Sequence, residues 1–243
     1  MRITSFNGSP RAERGNTNVM VESFLAGARG AGAECENVFL AKKTIRPCTS
    51  CYACWMKTPG TCSQRDDMDE LLQKVIASDV VVFATPLYVD NVTGLMKTFM
   101  DRLIPIADAH WEKDQDGECR HVRRNKKPSG IAVISNCGFP QQSHFQVLRL
   151  LFKRVARNLS VDVVAEIYRE AGSLLTVPNP DLKPVVEGYK KLLGAAGREV
   201  VEHRRLTPET AAKLERPLLS SADFVDEYMR LANQRCDQIL SKL

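Results

Sequence analysis

The chain contains no apolar stretch near the ~20 residues that span a bilayer, and its start lacks the charged-then-apolar layout of a secretory signal. A cytoplasmic protein without membrane attachment is the expectation. No G-x-x-x-x-G-K-S/T run occurs, which argues against a P-loop nucleotide hydrolase. Nor is there a G-x-G-x-x-G. Gly27, Gly30 and Gly32 stand at the far end of the first helical segment, where glycine terminates helices, and a dinucleotide fingerprint belongs at the start. His110, His121, His144 and His203 show no H-E-x-x-H or paired metal spacing, and no G-x-S-x-G elbow exists. Only His144, beside a candidate ligand loop, merits a test. Charge of one sign is scarce: Lys and Arg exceed Asp and Glu by 34 − 29 = 5, too mild for a dedicated nucleic-acid binder. The local excess at Arg120, His121, Arg123, Arg124, Lys126 and Lys127 reads first as a solvated loop; as a functional patch it would attract a phosphorylated cosubstrate or an acidic protein.

What is present suffices for a core: 44% of the 243 residues are hydrophobic. Eight cysteines would suit disulfides in a small secreted domain, but a chain of this size without an export signal points to metal or redox chemistry instead. Half of them, Cys48, Cys51, Cys54 and Cys62, fall in one short segment.

Strand and helix patterns alternate from the start. Ile3 and Phe6 open a first strand, and Val19, Met20, Val21, Phe24, Leu25 and Ala28 recur at helical spacing. A second strand is predicted over 34–40, and a helix over 68–77 with Asp66 or Asp67 at its cap. Val80 to Ala84 is an uninterrupted β-branched and apolar run, as in a central parallel strand covered on both faces. A helix follows through Leu95, Met96, Phe99, Met100 and Leu103. Ile131 to Ile134 gives a fourth strand, about 142–157 a helix, and 161–168 a fifth strand. The prediction is an α/β fold: a flavodoxin-like, doubly wound, five-stranded parallel sheet in the order 2-1-3-4-5. Residues 1–175 form that domain, with a cysteine-rich loop at 47–63, and 176–243 form a helical extension packed on the same domain or a partner subunit. Phe224, Tyr228, Leu231, Ala232, Ile239 and Leu243 trace an apolar stripe on the last helix, suited to the core or to a second copy.

In this topology ligands bind outside the strand carboxyl ends, where the loops after strands one, three and four converge. The first runs from Asn7 to Asn18. It leads into a helix N-terminus, so free N–H groups and the helix dipole favour a phosphate there. Ser9, Asn16 and Thr17 add short donors and Arg11 a charged fork; a polar turn with an Asn or Thr cap is the structural alternative. The pattern suits the phosphate of flavin mononucleotide (FMN) among other phosphorylated ligands. In the second loop Pro86 fixes the chain and Tyr88 offers an aromatic face with a polar tip. In the third, Gly138 permits close backbone approach. Asp101 and Arg102 read as an ion pair or helix-end contact.

The motifs N-G-S-P-R with G-N-T, T-P-L-Y with N-V-T-G and D-R-L, and S-N-C-G-F resemble those of NAD(P)H-dependent FMN reductases of the flavodoxin-like superfamily, and among these the iron-sulfur flavoproteins. The resemblance covers about residues 1–175. It implies that Ser9, Arg11, Asn16 and Thr17 hold the FMN phosphate, that Pro86, Leu87, Tyr88 and Asn91 border the ribityl chain and ring, and that Cys137 and Gly138 approach the ring's polar edge. It also implies a 4Fe-4S cluster on Cys48, Cys51, Cys54 and Cys62, while zinc or free redox-active thiols stay open on spacing alone. Cys35, Cys119 and Cys236 read as buried or incidental. The implied function is an oxidoreductase that takes hydride from NAD(P)H and passes electrons to a flavin, a quinone or another small acceptor, assembled as a homodimer or homotetramer. An FMN or iron-sulfur electron carrier acting only with redox proteins is the other reading, and a nucleotide- or redox-sensing regulatory domain the third.

Overall fold

The computed structural model describes residues 1–125, 128–219 and 223–242. Lys126 and Lys127 of the basic run and Leu243 of the last stripe lie outside the described residues. The strands are β1 (Arg2–Asn7), β2 (Glu34–Phe39), β3 (Val80–Pro86), β4 (Ala107–Lys113), β5 (Cys119–Arg123), β6 (Gly130–Asn136) and β7 (Asp162–Arg169). The helices are α1 (Asn16–Gly30), α2 (Ala53–Met56), α3 (Met68–Ala77), α4 (Gly94–Asp101), α5 (Gln146–Leu159), α6 (Lys183–His203), α7 (Pro208–Leu214) and α8 (Phe224–Leu240). No described helix is long and apolar enough to cross a membrane.

Five strands pair in parallel in the order β2-β1-β3-β6-β7, the flavodoxin-like order that the alternation predicts. All of β3 and β6 is buried, because each apolar run faces helices on both sides. One face packs Met20, Phe24 and Leu25 of α1 with Leu193, Ala196 and Val200 of α6. The other packs Leu71 of α3, Met96 and Phe99 of α4, and Leu148 and Phe152 of α5.

Two sequence expectations are corrected. Gly27 is no terminator: α1 continues to Gly30, and Gly27 sits where α6 crosses, with space for no side chain. A Cβ there would lie 1.8 Å from the Gly194 carbonyl oxygen, and one on Gly197 would lie 1.9 Å from that of Phe24. The basic run begins in a strand rather than a loop: Arg120, His121 and Arg123 lie in β5, which pairs with β4 as an antiparallel hairpin inserted between α4 and β6. Its described arginines have partners: Arg120 meets Glu112 at 2.9 Å, Arg124 meets Asp108 at 2.8 Å, and Arg123 donates to the carbonyls of Ser160 and Pro128. Of the cysteines read as buried or incidental, Cys119 and Cys236 are exposed and Cys35 is partly so. On α8 only Phe224 is buried, while Leu231 and Ile239 stay exposed.

Candidate functional site

The loops after β1, β3 and β6 meet at the carboxyl rim of the sheet around a cavity of about 210 Å³. Ser9, Arg11, Gly15, Asn16, Thr17, Pro86, Leu87, Tyr88, Asn136, Cys137, Gly138 and Ser173 line it, with no carboxylate among them. Nine of the ten residues expected to hold a cofactor therefore share one cleft. Asn91 stands back from it. Its backbone exchanges hydrogen bonds of 2.9 and 3.0 Å with Tyr88, closing a turn in which Val89 and Asp90 both have positive φ (50° and 55°). A β-branched residue in that region is strained, and Val89, 99% exposed, gains nothing from burial in return.

The end of the cleft at the start of α1 is built by vacating space. Gly15 is the N-cap of α1, and no side chain caps the helix, so its first N–H groups stay available. A Cβ on Gly15 would lie 2.5 Å from Ser9 Oγ, so only glycine lets the serine hydroxyl lie beside the helix start. Asn7 Oδ1 accepts from the Ser9 N–H at 3.0 Å, and Ser9 Oγ from the Arg11 N–H at 3.3 Å, holding the loop in shape. Asn136 Nδ2 donates to Thr17 Oγ1 at 2.8 Å and joins the third loop to the first. The Thr93 hydroxyl donates to the Gly8 carbonyl at 2.7 Å and accepts from the Met96 N–H at 3.2 Å, so the cap of α4 braces the same loop.

At the other end, Cys137 donates its backbone N–H to the Arg169 carbonyl at 3.0 Å, whereas the Gly138 N–H makes no backbone bond among the described residues. Burial pushes the Cys137 thiol up to about 11. Only about one molecule in a thousand would then carry a thiolate there at pH 8. Anaerobic labelling with iodoacetamide at pH 8 is expected to modify exposed Cys119 and Cys236 first, with peptide mass spectrometry finding Cys137 the slowest of the three. Gly15 belonged to the quoted motif without a role, and Asn136 to the third loop without one. Ser173 was missed altogether; it arrives from the turn after β7, and its hydroxyl lies 2.7 Å from that of Tyr228 on α8, a contact without a sequence signal.

A second hollow collects Cys48, Cys51, Cys54 and Cys62 with Tyr52, Gln64, Asp101, Arg102, Ile104 and Pro105. It shares no lining residue with the first cleft. Burial, reinforced by the neighbouring thiols of Cys62, Cys51 and Cys48, raises the Cys54 thiol; a hydrogen bond from the Ser63 hydroxyl side lowers that of Cys51. Among the described residues no three His, Cys, Asp or Glu side chains close on one point as ligands of a single ion do. The D-R-L pair divides: Asp101 meets Lys97 at 2.6 Å, whereas Arg102 turns into the cysteine loop toward Asp66, at 2.8 Å. Trp55, beside Cys54, donates its indole N–H to the Ala107 carbonyl at 3.1 Å and packs against the His121 ring, tilted by 35° with centroids 4.5 Å apart, so the hairpin buttresses this loop.

A parallel sheet in this order with a polar, carboxylate-free cleft at its switch point defines a flavodoxin-like ligand-binding protein. Residues 1–163 match the family model for NADPH-dependent FMN reductases, and the chain belongs to that family. It is similar to an iron-sulfur flavoprotein of Archaeoglobus fulgidus, 37% identical over 142 residues, 58% of each protein. An iron-sulfur flavoprotein of Methanocaldococcus jannaschii is also 37% identical, over 63% of this chain and 72% of that one. The chain thus spans about 58% of the length of the first relative, and its final helices fall outside the match to the family model. Among solved structures, an FMN-dependent NADH-azoreductase from Bacillus anthracis aligns with a TM-score of 0.60 at 16% identity, over 82% of this chain and 99% of that one. An NAD(P)H:quinone oxidoreductase from Methanothermobacter marburgensis aligns at 0.58 and 16%, over 82% and 96%. At such identity these show the fold alone.

Proposed function

We propose that the protein is an FMN-dependent oxidoreductase that takes hydride from NAD(P)H and passes electrons to a flavin, quinone or other small acceptor, with a 4Fe-4S cluster in its cysteine loop. One observation carries the FMN reading: an uncapped helix start, a serine lodged against glycine, and the aromatic and backbone groups of two further loops border a single cleft. The fit is chemical as well as spatial. Ser9, Thr17, the first N–H groups of α1 and Arg11 would hold the phosphate, and no carboxylate opposes its charge. Pro86, Leu87 and Tyr88 would flank the ring, with the Gly138 N–H available to its polar edge. When bound, FMN supplies a ring that accepts hydride and releases electrons singly or in pairs. The protein contributes orientation and exclusion of water; with its thiol pushed up to about 11, Cys137 serves as wall rather than nucleophile.

The cysteine hollow fits the cluster reading through its donors. Four thiols line one hollow, one for each iron of a cubane. The similarity to iron-sulfur flavoproteins supports the same assignment.

Anaerobically purified protein is expected to carry a flavin spectrum together with iron and acid-labile sulfide, and stopped-flow mixing with NADPH or NADH to bleach the flavin. Failure of both nucleotides would leave the electron-carrier reading in its place. Arg11→Ala should weaken FMN binding about ten- to a hundredfold by loss of a charge-assisted hydrogen bond, read by fluorescence titration of the apoprotein. Assembly as a homodimer or homotetramer belongs to the same proposal, and a monomer by light scattering at micromolar concentration would count against it.

A further inference from the structure

Arg102 is 1% exposed and has no acidic partner on its own helix, since Asp101 is taken by Lys97. Its guanidinium leaves the end of α4 for the cysteine loop. Nη1 donates to Asp66 Oδ2 at 2.8 Å and to the Arg46 carbonyl at 2.7 Å; Nη2 donates to Asp66 Oδ1 at 3.0 Å and to Cys62 Sγ at 3.4 Å. Nε is buried without a partner, leaving one donor uncommitted in a side chain that lines the four-cysteine hollow. Asp66 in turn accepts the N–H groups of Arg46 at 3.0 Å and Met68 at 3.1 Å. Together the two residues staple the loop where it enters and where it leaves. A staple alone, however, requires no bond to sulfur.

We propose that Arg102 raises the reduction potential of the cysteine-bound cluster by holding a desolvated guanidinium against the Cys62 sulfur. This rests on the cluster reading given above. Reduction adds one electron, from dithionite through mediators in the test below, and its charge spreads over the sulfurs. An N–H donor and the positive end of a buried ion pair stabilise that extra charge more than they stabilise the oxidised form. Asp66 offsets part of the effect, but the guanidinium stands between it and Cys62, so the sign is preserved.

The test uses full-length protein, prepared anaerobically and assayed for iron and sulfide. Cluster and FMN midpoints are then read separately by electron paramagnetic resonance and absorbance. In Arg102→Gln the ratio of reduced to oxidised cluster at a fixed poise should fall about tenfold, ~59 mV for a one-electron couple, with the FMN midpoint unmoved. Asp66→Asn, which leaves the guanidinium uncompensated, should shift the cluster the opposite way. Arg102→Lys, with charge but no fork, should fall between wild type and Arg102→Gln. A cluster-loaded Arg102→Gln with the wild-type midpoint overturns the proposal. If that variant loads no iron, Arg102→Lys and Asp66→Asn decide, and wild-type midpoints in both overturn it. Failure of all three to load iron reduces the pair to a structural staple and overturns it as well. Wild-type protein without iron or sulfide is a different result, defeating the cluster reading itself.

Discussion

Cys54→Ser is expected to abolish cluster binding, with iron falling from about four atoms per chain to below about one, while FMN stays bound. A serine hydroxyl ionises too weakly to replace a thiolate, and three remaining ligands hold a labile cluster at best. Cys54 is the informative position because it is buried and because all three other thiols of the loop bear on its ionisation. FMN should be retained because the two lining sets have no residue in common. Cys236→Ser, on the exposed face of α8, is the control and should change neither content. Parallel iron, sulfide and flavin assays check the expectation; equal iron in Cys54→Ser and wild type would remove Cys54 from the ligand set.

The second large effect is on folding. Gly27→Ala would place a methyl 1.8 Å from a backbone oxygen of α6, a contact that no rotamer change relieves, so α1 and α6 must separate. Overpacking of this kind costs about 3 kcal/mol or more, a fall in melting temperature of ~6–12 °C for a chain this long. Gly188→Ala is the opposite case: it lies on α6, the other helix of the crossing, exposed, with nothing near its would-be Cβ. Relieving the helix of a glycine there should leave stability unchanged or raise it by up to ~1 kcal/mol. Melting curves of both variants against wild type test the pair, and an equal response would mean that the α1–α6 crossing is looser than described.

These two helices also mark where sequence reading stopped. The sheet was legible because Val80 to Ala84 and Ile131 to Ile134 are continuous apolar runs, and its order follows from parallel strands joined by helices. The three loops that border the cleft were legible for the same reason, since the topology dictates where they meet. Gly27 was misread because a glycine near a helix end signals termination, and its real constraint is a helix more than 150 residues later in the chain. Ser173 and the Arg102–Asp66 pair likewise depend on partners distant in sequence, which no local pattern encodes. The hairpin escaped because Ala107 to Lys113 alternates too few apolar residues; backbone pairing and the Trp55 bracket stabilise it instead.

Helix α4 has eight residues and a length of about 12 Å. Thr93 at one end fastens the glycine-serine turn that would receive the phosphate, and Arg102 at the other fastens the thiol loop. The cleft and the cysteine hollow therefore share one rod. A designer who moved residues 46–66 onto another flavodoxin-like scaffold would have to bring this rod and its terminal arginine along, or the borrowed segment would arrive without its anchor.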